Sequence, residues 1–172
     1  MEPLVLLSEL LPATFLMENK PRFKIVLFAP EIPGNTGSIG RTCVALNLEL
    51  ILIKPYGFSL DEKAVRRAGL DYWKHVKLRE FDSWEDFIEK ENPPKEKLIL
   101  LENTGRELYY HAPYTQDCYL VFGRETTGFT PEIESKYEDC MYKLPMFSPH
   151  IRSLNLSNVA TTVAYECLRH LL

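Results

Sequence analysis

Apolar residues in this chain fall into short runs separated by stretches where they recur every three or four positions. The runs at 23–29, 50–53, 97–101, 118–122 and 140–144 are rich in Ile, Leu, Val and Phe and read as buried strands, with a weaker one at 75–78. Ile39, Cys43 and Leu46 recur at helical spacing, which predicts a helix over 37–46. Asp61 caps a short basic helix through Ala68. Ser83 followed by Asp86 resembles a capping box, with Trp84, Phe87 and Ile88 on one face and Pro93-Pro94 as the stop. Pro131 suits the first turn of a helix through Tyr137. A last helix runs from about 154 to 171, with Val159, Val163, Glu166 and His170 near one stripe. Strands alternating with helices imply an α/β fold, a mostly parallel sheet with helices on both faces.

No long linker interrupts residues 23–172, which therefore read as one domain, large enough to bury a core without staples. Residues 1–22 stand apart as an N-terminal extension. They are rich in Leu, but Glu2 and Glu9 break the run, so they suit neither a membrane span nor a signal peptide. Two readings stay open: an added docking segment, or a true start at Met17. The net charge of −4 gives no bulk support to nucleic-acid binding, although only the local field at a binding face matters. One such face is a basic stretch, where Lys63, Arg66, Arg67, Lys74, Lys77 and Arg79 meet only Asp71 in opposition. Its default reading is a solvated helix face. Cys43, Cys118, Cys140 and Cys167 form no C-x-x-C pair and the histidines are scattered, so no metal site is expected. Unpaired cysteines fit a reducing, cytoplasmic setting.

Three blocks of Gly, Asn, Ser and Thr each follow an apolar run: 33–41 (PGNTGSIGR), 122–128 (FGRETTG) and 152–158 (RSLNLSN). Loops leaving the carboxyl ends of strands are where open α/β sheets bind ligands. The first block is a near miss for two phosphate signatures: Gly34 and Gly40 enclose five residues before Arg41, and Gly34-x-x-Gly37-x-x-Gly40 is not G-x-G-x-x-G. No G-x-S-x-G elbow is present for a hydrolase. What remains is a site of amides, hydroxyls and one or two arginines. That inventory permits a reaction whose electrophile carries its own activation, such as methyl transfer from a sulfonium, where alignment is the protein's main task.

The run 29–41 (APEIPGNTGSIGR) resembles the first signature of the SPOUT methyltransferases, and 66–72 (RRAGLDY) resembles a segment of their wobble-position tRNA 2′-O-methyltransferase group. Residues 122–128 resemble the second signature, and Leu144-Pro145-Met146 with 152–158 the third. The motifs stand in the right order from residue 23 to the C-terminus. Departures are Gly34, Ser38, Phe129-Thr130-Pro131 and a longer 146–151 segment, which bear on loop geometry more than on the cofactor site.

The resemblance implies a C-terminal trefoil knot, a homodimer and S-adenosyl-L-methionine as cofactor. It places cofactor contacts at Leu101, Gly123, Leu144 and Ser153, and catalytic roles at Arg41 and Tyr165. Asn35, Glu125, Asn155 and Asn158 match other signature positions, and Asn35, Arg66, Arg67 and Asn155 become candidates for substrate binding. The implied reaction is 2′-O-methylation of the wobble cytidine or uridine in the tRNA anticodon loop, with no metal and no membrane partner. A guanidinium stays protonated, so Arg41 suits orientation and oxyanion stabilisation rather than proton removal. By default Arg41 is a surface ion-pair partner, Tyr165 a packing aromatic, and Glu125 an acceptor for loop amides. Two alternatives carry the same fold: a ribosomal RNA 2′-O-methyltransferase and a non-catalytic RNA-binding protein.

Overall fold

Residues 21–59 and 71–172 are described by the computed structural model. The proposed helix over 61–68, the extension up to residue 20, and Arg66 and Arg67 lie outside the described residues. Seven strands build one sheet: β1 (Lys24–Phe28), β2 (Glu49–Ile53), β3 (Lys77–Phe81), β4 (Leu98–Leu101), β5 (Glu107–Leu108), β6 (Tyr119–Phe122) and β7 (Met141–Lys143). Their order is β3-β2-β1-β6-β4-β7-β5, and every ladder is parallel. Among the described residues four α-helices cover it: α1 (Pro33–Ala45), α2 (Trp84–Glu91), α3 (Pro131–Lys136) and α4 (Leu156–Leu171).

Apart from Lys24 and Glu49 at their first positions, the central strands β1, β2, β4 and β6 are apolar because they are buried on both faces. In β1, Ile25 and Leu27 enter the core shared with Ile39 and Cys43 of α1 and Ala160, Val163, Ala164 and Cys167 of α4. Val26 and Phe28 point the other way, into a core with Trp84 and Phe87 of α2 and Ile133 of α3. Aromatic rings interlock that second layer: Trp84 meets Phe28 edge-on at 6.1 Å and Tyr137 at 5.5 Å between centroids.

Local signals fix the helix ends. Ser83 Oγ accepts from the Asp86 amide at 3.1 Å, and Asn92, at φ 46°, closes α2 in the left-handed region that Asn tolerates. Thr130 caps α3, and Asn155 Oδ1 caps α4 by accepting from Ser157 N at 2.9 Å and Asn158 N at 3.3 Å.

The structure corrects the sequence reading in four places. Helix α1 starts at Pro33 rather than 37, so the whole of the first Gly/Asn/Thr block is helix and not loop; Pro at the first helical position needs no partner for a missing N–H. The third strand is displaced to Lys77–Phe81, after a 3-10 turn at Trp73–His75. It is the sheet's edge, so Lys77, Arg79 and Glu80 face water and leave little apolar signal. In α4 the inner stripe is Ala160, Val163, Ala164 and Cys167, while Glu166 is only half-buried and His170 is exposed. Small residues there allow close approach of α1, marked by Thr42 Oγ1 lying 2.8 Å from Thr161 Oγ1. The two-residue β5 has no sequence counterpart among the expected strands.

All four cysteines are buried and unpaired; Cys118 Sγ lies 3.7 Å from Cys167 Sγ between β6 and α4.

Candidate functional site

The three polar blocks meet at the carboxyl ends of β1, β4 and β6, and a side-chain lattice ties them together. Glu125, half-buried in the loop after β6, accepts from the backbone N–H of Glu31 at 2.8 Å and of Ile32 at 3.1 Å, and from Asn35 Nδ2 at 3.2 Å. Its carboxylate thus satisfies amides at the start of α1, where the helix dipole also favours negative charge. Glu31 answers in the opposite direction: its carboxylate accepts from Thr126 N at 2.9 Å and from Thr126 Oγ1. Those bonds hold the Glu31 carboxyl below its ordinary value, the Thr126 hydroxyl first and the Thr126 amide next. Asn35, only 7% exposed, completes the lattice by accepting from Asn155 Nδ2 at 3.0 Å. Every polar atom of the Asn35 side chain therefore works between blocks.

These loops enclose a cavity of about 560 Å³. Leu101, Gly123, Leu144 and Ser153 all line it, as do Asn35, Glu125 and Asn155. Leu101 and Gly123 are buried, Leu144 half-buried and Ser153 exposed at the rim. Gly123 is required by packing: a Cβ there would sit 2.7 Å from the Gly128 carbonyl carbon. Gly128 itself has φ +69°, and a Cβ on it would strike Glu102 Oε2. Glu102 lies beneath this turn, accepts from Asn103 N at 2.8 Å and is pushed above its ordinary value chiefly by burial. Sequence reasoning passed over Glu102, since an acid after a strand gives no sign of being folded under the next loop. Asn103 Nδ2 donates to Arg152 O at 3.1 Å and so fastens the third block across the end of β4.

Arg41 and Tyr165 do not reach this cavity. They line a second one, of about 360 Å³, with Ser38, Thr42, Tyr72 and Thr161. Arg41 stands six residues after Asn35, about 9 Å further along α1 and on a different side of it. Its guanidinium lies 4.6 Å from the centre of the Tyr72 ring. Tyr165 is 54% exposed, so it is not a core aromatic. Val163 is fully buried and Val159 and Leu168 pack against the core, whereas Tyr165 points outward from α4.

The basic stretch is divided. Arg79 is committed to Glu49 and Glu91, and Lys77 Nζ donates to Asn47 Oδ1 at 2.7 Å, which removes both from a phosphate track. Among the described residues no His, Cys, Asp and Glu cluster could hold a metal ion, and no helix is long and apolar enough to cross a membrane.

Residues 22–165 match the model of the SpoU rRNA Methylase family. The tRNA (cytidine(34)-2′-O)-methyltransferase of Saccharophagus degradans is 43% identical over 150 residues, spanning 87% of this chain and 96% of that protein. A solved structure described as giving insight into 2-OH methylation of C/U34 on tRNA is 39% identical with a TM-score of 0.76, covering 87% of this chain and 95% of that one. The SpoU methyltransferase AviRb of Streptomyces viridochromogenes, solved in complex with the cofactor AdoMet, is 28% identical with a TM-score of 0.69, covering 88% and 62%.

Proposed function

The chain belongs to the SpoU methylase family, and from that premise we propose that it transfers a methyl group to the ribose 2′-oxygen of the wobble nucleotide, cytidine or uridine, at position 34 of tRNA. The observation that carries this reading is the convergence of three strand-end blocks on one cavity, whose wall includes all four positions expected to contact the cofactor. The relatives named for the wobble reaction cover nearly all of this chain and of themselves, which favours tRNA over ribosomal RNA.

The cavity suits S-adenosylmethionine. Its volume of about 560 Å³ falls within the usual range for small-molecule sites, and its lining offers apolar strand ends beside loop amides and hydroxyls. When bound, that cofactor supplies a methyl already activated on a sulfonium. Leu101, Gly123, Leu144 and Ser153 would hold it, largely through backbone groups. The lattice of Glu31, Asn35, Glu125 and Asn155 keeps the three loops at fixed spacing, so the protein's own contribution is alignment. Arg41 then orients the substrate phosphate or ribose and stabilises charge developing on the 2′-oxygen, while a substrate phosphate oxygen or water accepts the proton.

We extend the reading to assembly. Large apolar side chains are left exposed: Ile32 and Leu154 on the first cavity, Tyr165 on the second, and Phe147 and Ile151 in the segment between Leu144 and Ser153. A second copy of the chain covering them would form the homodimer expected of this family. A trefoil knot at the C-terminal end fits the fastening of Arg152 by Asn103 across β4. A tRNA substrate and four unpaired thiols fit a cytoplasmic site of action.

Incubating purified protein with S-adenosylmethionine and unmodified tRNA, then mapping the product by nuclease digestion and mass spectrometry, tests the assignment. The expected product carries a 2′-O-methyl at position 34 alone. A methyl on a base, or outside the anticodon loop, overturns it. Arg41→Ala should cut turnover about 100-fold or more with cofactor affinity nearly unchanged.

A further inference from the structure

We propose that Tyr72 is a positioning residue for this reaction, holding the Arg41 guanidinium at the angle in which it meets the RNA. This rests on the role given to Arg41 above. Tyr72 closes the 66–72 segment, which the site as described so far does not use.

Two contacts join Tyr72 to α1 at the turn that bears Arg41. Its hydroxyl donates to Gly37 O at 2.7 Å, the carbonyl one helical turn before Arg41. Its ring face lies 4.6 Å from Arg41 Cζ, within the range of a cation–π contact. Trp73 anchors the same corner: a Cβ on Gly40 would come within 2.5 Å of its ring, so the glycine exists there to let the indole lie against the helix. Tyr72 is half-buried and its phenol sits above its ordinary value, raised first by burial and drawn back by the Arg41 charge. No carboxylate pairs with Arg41 among the described residues, and its side chain is exposed. The Tyr72 ring is thus the surface that restrains a long, rotamer-rich cation in a cavity it shares with Ser38, Thr161 and Tyr165. A guanidinium stacked on a ring keeps its N–H edge free for phosphate, and that is the arrangement an orienting arginine requires.

The test is a double-mutant cycle on tRNA turnover with Arg41→Ala, Tyr72→Leu and both together, alongside Tyr72→Phe. Losing a cation–π restraint corresponds to roughly 5- to 30-fold in kcat. Tyr72→Leu should show a loss of that size with S-adenosylhomocysteine affinity unchanged, and should add nothing further to Arg41→Ala. Tyr72→Phe keeps the ring and should recover turnover to within about threefold. A normal Tyr72→Leu enzyme, or a double variant whose losses multiply, overturns the inference while leaving the Arg41 role standing. A normal Arg41→Ala enzyme overturns that role, and this inference with it. If Tyr72→Leu does not fold, nitrogen NMR of the wild-type protein decides: Arg41 Hε should be shifted upfield by the ring, and an unshifted, freely rotating signal refutes the stacking.

Discussion

Glu125→Gln should destabilise the protein by about 1–2 kcal/mol and weaken cofactor binding, although Glu125 is only half-buried and Gln has nearly its shape. The reason is a count of donors. Oε2 accepts from Glu31 N, and Oε1 accepts from both Ile32 N and Asn35 Nδ2. A glutamine offers one oxygen, so its amide nitrogen must oppose at least one of these N–H groups. Hydrogen bonds to a charged acceptor contribute roughly 1.5–3 kcal/mol when sheltered, and partial exposure lowers that. Loss of a carboxylate from a helix N-terminus adds about 0.3–1 kcal/mol. At about 2–4 °C per kcal/mol for a domain of this size, melting should fall by roughly 2–8 °C. Whichever way the amide turns, Asn35 keeps at most a neutral acceptor in place of a charged one, which loosens its link to Asn155 and the cap of α4, so calorimetry with S-adenosylhomocysteine should show affinity reduced about 5- to 10-fold. Glu125→Asp tests whether charge alone suffices; its shorter carboxylate cannot reach all three donors and should recover only part of the loss. An unchanged melting temperature with unchanged affinity in Glu125→Gln would refute the lattice as the determinant of loop spacing.

Thr126→Val removes the hydroxyl that depresses the Glu31 carboxyl. A depressed acid stabilises the fold above its unfolded value and loses that effect as pH falls through its folded value. The melting difference between wild type and variant should therefore be constant above about pH 5 and close below about pH 4; a gap that persists in acid would refute this. Gly123→Ala should lower stability and abolish cofactor binding together, because its Cβ would drive into the Gly128 backbone at 2.7 Å; a well-folded variant that binds normally would contradict the packing argument.

Much of the fold was legible because parallel strands buried on both faces are apolar without interruption, as 98–101 and 119–122 are. Capping chemistry was equally local, so Ser83 and Pro131 marked their helices correctly. What escaped detection was decided by distant partners. β3 lies on the sheet edge, where charged side chains are tolerated and the apolar signal fades. Ala29 takes φ +47° at the junction of β1 with the first block, a conformation its side chain does not announce. Arg79 looked like part of a phosphate track, and only the sheet brings Glu49 beside it.

The site shows the same division. Each block can be found by its glycines and amides, yet Glu31 and Glu125 exchange partners across 94 residues of chain, and nothing local to either predicts the exchange. Asn35 illustrates why the three blocks must act together. Its amide nitrogen donates to the second block and its oxygen accepts from the third, so a change in either loop reaches α1 through one side chain. From that fixed start α1 carries Arg41 six residues past Asn35, the last of its residues to line the first cavity, into the second cavity with Tyr165. On the roles proposed above, the anchored start of α1 and the Tyr72 contact at its middle serve one requirement. The loops proposed to hold the cofactor and the cation proposed to orient the substrate would then keep a constant separation, set by the one helix that both sets of contacts hold.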